Sequence, residues 1–314
     1  MSELITHSHP RIALIGECMI ELQQHANGNL QQSFGGDTLN TAVYLARLLK
    51  GGAQVDYVTA LGDDSFSDAM CQSWAQESVG LSKVQRLPGR LPGLYCIQTD
   101  AKGERRFLYW RNEAAVRDCF TSEAGDAILA SLADYDVLYL SGITLAVLGE
   151  VGRERLLAAL QQARAKGTRV AFDNNYRPRL WTSVDQARAA YRACLECVDV
   201  ALLTEDDEQA LFGYADSEQL FSAYRERGIS EVVVKRGAQS CLVEAAGERY
   251  DIAAQPVSRV IDSTAAGDSF SAGYLAMRLR GCGPLQAAEA GHRLASVVIQ
   301  HPGALIPDSA MPTF

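Results

Sequence analysis

The sequence predicts an α/β fold: three layers, α/β/α, around a mainly parallel central sheet, with a small antiparallel β lid attached. Three observations predict it. Past the first third of the chain, short apolar runs alternate with stretches of helical period, the pattern of a sheet covered on both faces. Two earlier segments break that pattern and read as paired strands instead. The chain is 314 residues long and 47% hydrophobic, enough to bury one sizeable core.

Taken in order, RIALIG at 11–16 is a short apolar run ending on Gly, suited to a buried first strand. CMIELQQ alternates imperfectly and predicts a half-exposed strand. LNTAVYLARLLK has helical spacing, with Leu39, Val43, Ala46 and Leu49 on one face. VDYVTALG is a strand, and SFSDAMCQSWAQES a helix with Ser65 as its expected cap. GLYCIQTD and RRFLYWRN read as a hairpin closed by AKGE. DYDVLYLSG, TRVAFDNN, VDVALLT and SEVVVKRG are strands. Between them RERLLAALQQARAKG, closed by Gly167, then QARAAYRACLEC and SEQLFSAYRERG are helices. No repeat or low-complexity linker interrupts them. A single domain over 1–314 is expected, with lid strands from about 17–34 and 92–112.

The formal net charge is −9, unlike a nucleic-acid binder, which carries a basic face. No basic segment followed by a long apolar one opens the chain, and no apolar run approaches the roughly 18 residues that span a bilayer. The eight Cys are scattered; Cys194 and Cys197 form a C-x-x-C without a second pair, which reads as buried thiols or, alternatively, a zinc or redox site. Free thiols, no leader and no span place the chain in the cytoplasm.

The chemistry concentrates in IDSTAAGDSFSAG, 261–273, where one acid, Asp268, sits among Ala, Gly and Ser. Asp262, Ser263 and Thr264 can cap a helix starting there. Small residues at its first turn uncover N–H groups that a phosphate can approach, with the helix dipole favouring the charge. A carboxylate within a turn of that site repels phosphate. It makes sense as a base for a hydroxyl that attacks phosphorus, or else as an acid favoured at a helix N-terminus. In FGGDTLN, Asn40 stands inside a helix, where it is a poor former, and is a natural partner for hydroxyls. Tyr109 and Arg111 share a strand face, forming either a cation–π pair or a platform whose Arg holds a carboxylate. Arg177 and Arg179 follow a strand end and fit an anionic ligand.

DSTAAGDSFSAG and FGGDTLNTAVYLARL, at opposite ends of the chain, resemble the two signatures of the ribokinase-like (PfkB) sugar kinases, and the likeness runs from Ile12 to Pro307. It implies a ribokinase-like fold, Asp268 as catalytic base, and an anion hole from the N–H groups of Ala265, Ala266, Gly267 and Asp268. GECMIEL, LPGLYCIQTD, FLYWRNEAA and DNNYRPRLW resemble the branch of the family whose sugar carries a carboxylate. This implies phosphorylation of the 6-hydroxyl of a keto-deoxy sugar acid. Substrate contacts would come from Gly35, Gly36, Asp37, Asn40, Tyr95, Tyr109, Arg111, Arg177 and Asp268. ATP would be lined by Asn175, Lys235, Gly237, Ala238 and the anion-hole residues. The resemblance implies ATP with Mg²⁺ and allows a monovalent cation and a homo-oligomer built through the lid sheet. The family's Asn-x-x-Glu is replaced in TEDDE by Thr204 and Asp207, which leaves Asp207 to reach a metal through water. A second Gly usual in the nucleotide loop is replaced near Ser240. A fructokinase or other neutral-sugar kinase is the alternative reading; a non-catalytic sugar-acid-binding regulator is the distant one.

Overall fold

The computed structural model describes residues 8–24, 27–99 and 105–314. The turn AKGE lies outside them. The first half runs β1 (Arg11–Ile15), β2 (Met19–Gln24), β3 (Leu30–Gly35), α1 (Asp37–Leu48), β4 (Gln54–Leu61), α2 (Ser65–Gln76), β5 (Gly80–Arg86), β6 (Leu94–Thr99), β7 (Arg105–Trp110) and α3 (Glu123–Ser131). The second continues as β8 (Val137–Ser141), α4 (Gly142–Val147), α5 (Gly149–Ala165), β9 (Arg169–Asp173), α6 (Val184–Leu195), β10 (Val200–Thr204), α7 (Glu205–Phe212), α8 (Ser217–Glu226) and β11 (Glu231–Lys235). It ends with β12 (Cys241–Ala245), β13 (Glu248–Ile252), α9 (Ala266–Leu279) and α10 (Pro284–Val298).

The main sheet has the order β13-β12-β11-β10-β9-β8-β1-β4-β5. From β11 to β5 every neighbouring pair is parallel; β12 and β13 close one edge antiparallel. Side chains alternate between faces, so each strand feeds two cores. Ile12 and Leu14 point into one, with Tyr139, Leu202, Val233 and residues of α1, α9 and α10. Ala13 and Ile15 point into the other, with Leu138, Phe172, Val234 and residues of α5 and α6. A strand buried on both sides must be apolar throughout, which is why RIALI, VLYLS and VALLT carry so little polarity.

The second sheet has the order β3-β2-β6-β7. Two antiparallel hairpins, β2–β3 and β6–β7, are joined by a parallel β2–β6 pairing. It stands off the main sheet at the C-terminal end of β1.

Several local details differ from the sequence expectation. Asp64, not Ser65, caps α2: its carboxylate accepts from the Phe66 and Ser67 N–H groups at 2.9 and 3.1 Å, and Ser65 is already helical. Strand β5, the β12–β13 hairpin and helices α3, α4, α7 and α10 lie outside the expected elements; apart from α10 they are segments of five to nine residues. Cys194 and Cys197 are free and buried where α6 runs into the turn before β10. No helix among the described residues is long and apolar enough to cross a membrane.

The strand ends that form the site are clamped tightly. Gly142, at the start of α4, lies so close that an added Cβ would stand 2.1 Å from the Asn174 carbonyl oxygen and closer still to the Tyr191 hydroxyl. Gly142→Ala is therefore expected to lose about 1–3 kcal/mol of stability by overpacking, read as a lower urea midpoint. An unchanged midpoint would show that the clamp can relax.

Candidate functional site

The C-terminal ends of β9, β10 and β11 deliver Asp173, Thr204 and Lys235 to one edge of the main sheet, where ligands of open α/β sheets bind. Helices α1 and α9 start above that edge, and the small sheet leans over it. The central cavity is lined by Gly35, Gly36, Asp37, Asn40, Tyr95 and Tyr109 from one side, and by Asp173, Asn175, Arg177, Lys235 and 265–268 from the other. Sequence stretches more than 200 residues apart thus meet in one cavity.

Two further cavities open from this one. The first lies under the small sheet and shares Gly36, Asp37, Tyr109 and Arg177 with the centre; Arg111 lines it and not the central cavity. The second lies beyond β11 and shares Thr204, Lys235, Ala266 and Gly267; Gly237 and Ala238 line it. Asn175, expected with the nucleotide, lines the centre instead. Its side-chain N–H donates to Asp37 at 2.7 Å.

Helix α9 opens without a side-chain cap. Its N-cap, Ala265, sits in the left-handed region at φ 59°. Asp262 is no helix cap: it accepts from the Thr264 N–H and hydroxyl at 2.9 and 2.7 Å and from the Gly303 N–H at 2.9 Å, tying the loop together. Ser263 and Thr264 do not cap the helix either. The Ala266 N–H donates to the Ser263 carbonyl at 3.2 Å, so the anion hole loses one of its expected donors to this turn. The next amides belong to the first turn, whose N–H groups have no acceptor within the helix.

Asp268 rises from that turn into the centre. The Asn40 side-chain amide donates to it at 2.8 Å, and the Thr41 hydroxyl donates to its backbone carbonyl at 3.3 Å. Burial, with the like charges of Asp37 and Asp173, pushes its carboxyl up to about 7; Asn40 and Lys235 oppose the rise. Burial and Asp173 also raise Asp37, against hydrogen bonds that include Asn175. Asn40 spends its N–H on Asp268, while its oxygen is buried with no hydrogen-bond partner. That oxygen is the acceptor it can offer a ligand hydroxyl.

The paired glycines answer to the protein itself. A Cβ on Gly36 would lie 2.1 Å from the Glu17 carbonyl oxygen, and one on Gly35 would strike the Tyr95 hydroxyl at 2.3 Å. Tyr95 in turn donates to Glu21. Arg111 forms an ion pair with Glu17, a buried acid that the sequence reading missed. Its guanidinium also lies 5.9 Å from the Tyr109 ring, so the cation–π contact is present. Burial lifts the Glu17 carboxyl above its usual range, against the pull of Arg111. Glu17 follows the first strand's final Gly, a position that marks it as a site residue in hindsight.

Arg177, half-exposed, stands 3.6 Å from Asp207, whose carboxylate also accepts from the Tyr176 N–H at 3.1 Å. Burial raises this carboxyl too. Arg179 lines the cavity under the small sheet and not the central one. Past β11, Gly237 turns at φ 59°, and Arg236 donates across the loop to the Ser240 carbonyl at 2.8 Å. No group of three or more His, Cys, Asp or Glu among the described residues could hold a metal by itself.

A carboxyl raised from 3.8 to about 7 keeps its proton in the folded chain after the unfolded chain has lost it. Between roughly pH 4 and pH 7 its contribution to stability therefore falls as pH rises. Asp268→Asn should raise the melting temperature more at pH 8 than at pH 5. Equal gains at both would mean the carboxyl titrates normally.

Residues 9–311 match the pfkB family of carbohydrate kinases. The chain is 54% identical over 306 residues to the 2-dehydro-3-deoxygluconokinase of Escherichia coli (strain K12), covering 96% of this chain and 99% of that one. It is 53% identical over 305 residues to the enzyme of the same name from Dickeya dadantii (strain 3937), covering 96% and 98%. Among solved structures, the fructokinase with bound ATP from Xylella fastidiosa superposes with a TM-score of 0.81 at 25% identity, over 96% of this chain and 95% of that one. With two signatures meeting in one cavity and a match spanning nearly its whole length, the chain belongs to the pfkB family of carbohydrate kinases.

Proposed function

We propose that the chain is an ATP-dependent kinase that phosphorylates the 6-hydroxyl of 2-dehydro-3-deoxy-D-gluconate, giving 2-dehydro-3-deoxy-6-phosphogluconate, in the cytoplasm. The observation that carries this reading is Asp268, a carboxyl poised near neutrality that lines the central cavity beside an uncapped helix start, whose Ala266 and Gly267 line both that cavity and the one past β11. The 54% identity to relatives of that activity supports the substrate.

The sugar acid occupies the centre and the cavity under the small sheet, and ATP the cavity past β11. Gly35, Gly36 and Asp37 floor the sugar side, with Tyr95 and Tyr109 as its roof. Asn40 holds Asp268 by its N–H and offers its free oxygen to a hydroxyl. Asp268 accepts the 6-hydroxyl proton; a base whose proton affinity lies near the working pH suits that task. The first-turn N–H groups of α9 donate to the phosphoryl oxygens. The small sheet excludes water that would otherwise hydrolyse ATP.

Mg²⁺, when bound with ATP, neutralises phosphate charge. Asp207, already held by Tyr176 and Arg177, fits contact through water better than direct ligation, and Mg²⁺ normally keeps several waters. Exposed Leu30 and Trp110 on the outer strands of the small sheet support a homo-oligomer formed through it.

The substrate carboxylate lies between Arg111 and Arg177, which line one cavity. Arg111 is buried against Glu17, whereas Arg177 is half-exposed and stands a looser 3.6 Å from Asp207, so Arg177 carries the larger share.

The direct test is coupled ADP release with ATP·Mg²⁺ and four acceptors: 2-dehydro-3-deoxygluconate, its galactonate epimer, fructose and ribose. Strong preference for the first is expected; preference for fructose would leave a neutral-sugar kinase. Asp268→Asn should lower kcat by about 10²–10⁴-fold with substrate binding largely kept. Near-normal turnover would remove it from the role of base. Arg177→Ala should raise KM for the sugar acid about 10–100-fold, as loss of a charged hydrogen bond does. Arg111→Ala should raise it less, and the opposite ranking would return the clamp to Arg111.

A further inference from the structure

Lys235 ends β11, yet its side chain reaches across the end of β10 to Asp173, the last residue of β9. Its ammonium stands 2.6 Å from Asp173 Oδ2 and 3.3 Å from Ser271 Oγ. The Ser271 hydroxyl donates to the same carboxylate oxygen at 2.8 Å, and the Tyr139 hydroxyl at 3.3 Å. Lys235 and Asp173 are both nine-tenths or more buried, and Ser271 is fully buried. The ammonium has three N–H bonds. Asp173 and Ser271 account for two, which leaves one for a ligand.

The position of that ammonium decides its use. Lys235 lines both the central cavity and the nucleotide-side cavity. A Cβ placed on Gly267 would lie 3.6 Å from its nitrogen, so the charge sits beside the first turn of α9. The same centre holds the carboxylates of Asp37, Asp173 and Asp268, a poor environment for phosphate. Arg177, the other cation lining it, is drawn toward Asp207. A purely structural ion pair has little reason to lie open to two cavities, since burying it takes charge out of water with no net gain over apolar packing.

We propose that Lys235 is a catalytic residue that donates its remaining N–H to a nonbridging oxygen of the transferring phosphoryl group, with Asp173 and Ser271 as positioning residues. The proposal rests on the kinase reading above. The bond formed joins the sugar 6-oxygen to the γ-phosphorus. The bond broken joins that phosphorus to its bridging oxygen, whose electron pair leaves with ADP. The hydroxyl proton goes to Asp268, and Lys235 transfers none. A fixed cation at the point of crossing opposes the carboxylates where charge is in motion, the requirement of phosphoryl transfer.

The test compares Lys235→Met, Lys235→Arg and the double variant Lys235→Met/Asp173→Asn with the parent. Lys235→Met should lower kcat about 10²–10³-fold, the scale for one transition-state donor, with KM for the sugar acid changed less than about threefold. Lys235→Arg should recover part of kcat. Lys235→Met also strands a buried carboxylate, so it should melt lower. The double variant should regain the melting temperature without regaining kcat. Recovery of both together, or a kcat within about threefold of the parent for Lys235→Met, would reduce the pair to a structural strut. Failure of the kinase reading appears separately, as a parent chain that releases no ADP with the sugar acid.

Discussion

The hydrogen bond from the Asn40 amide to Asp268 joins residues 228 positions apart, and the site is organised around it. It fixes the start of α1 against the start of α9, seconded by the Thr41 hydroxyl on the Asp268 carbonyl. Once these two helix starts are locked over the sheet edge, the glycines before α1 and the small residues before α9 face each other across one cavity. The small sheet leaves β1 through Gly16 and leads into α1 through Gly36, and its Tyr95, Phe107 and Tyr109 line that cavity.

Charge follows from this geometry. A parallel sheet places the C-terminal ends of its strands on one side, so residues that end strands collect there. Asp173 and Lys235 do so, and Asp37 and Asp268 join them from the two helix starts. Burial, with the like charges of Asp37 and Asp173, raises the proton affinity of Asp268, and burial with Asp173 raises that of Asp37. Folding works against this concentration of charge; the two apolar cores on either side of the sheet offset it. Such local conflict with stability is expected where chemistry is done.

The small sheet shows the same logic around its own cavity. Its buried polar side chains are paired among themselves: Arg111 with Glu17, and Tyr95 with Glu21. Glu17 also sits against the glycine hinge, since its carbonyl lies where a Gly36 side chain would be. The small sheet is thus held to the main sheet by packing that leaves no room for a Cβ, and Glu17 orients Arg111.

The sequence by itself determined the layer architecture, because two-sided burial forces each central strand to be apolar and each helix to be amphipathic, and both patterns are local. It also determined the two signature stretches and Asp268, because a lone acid among small residues is unusual wherever it folds. It did not yield the β12–β13 hairpin or the cap at Asp64, where neighbouring polar residues compete and one residue's shift decides. Only tertiary structure decided who partners whom: Glu17 neutralising Arg111, Asn175 serving Asp37 at the centre, Asp262 binding the loop instead of the helix, and Lys235 crossing a strand to Asp173. These pairs bring together residues from different elements, and periodicity along a chain carries no information about which strand ends will lie side by side.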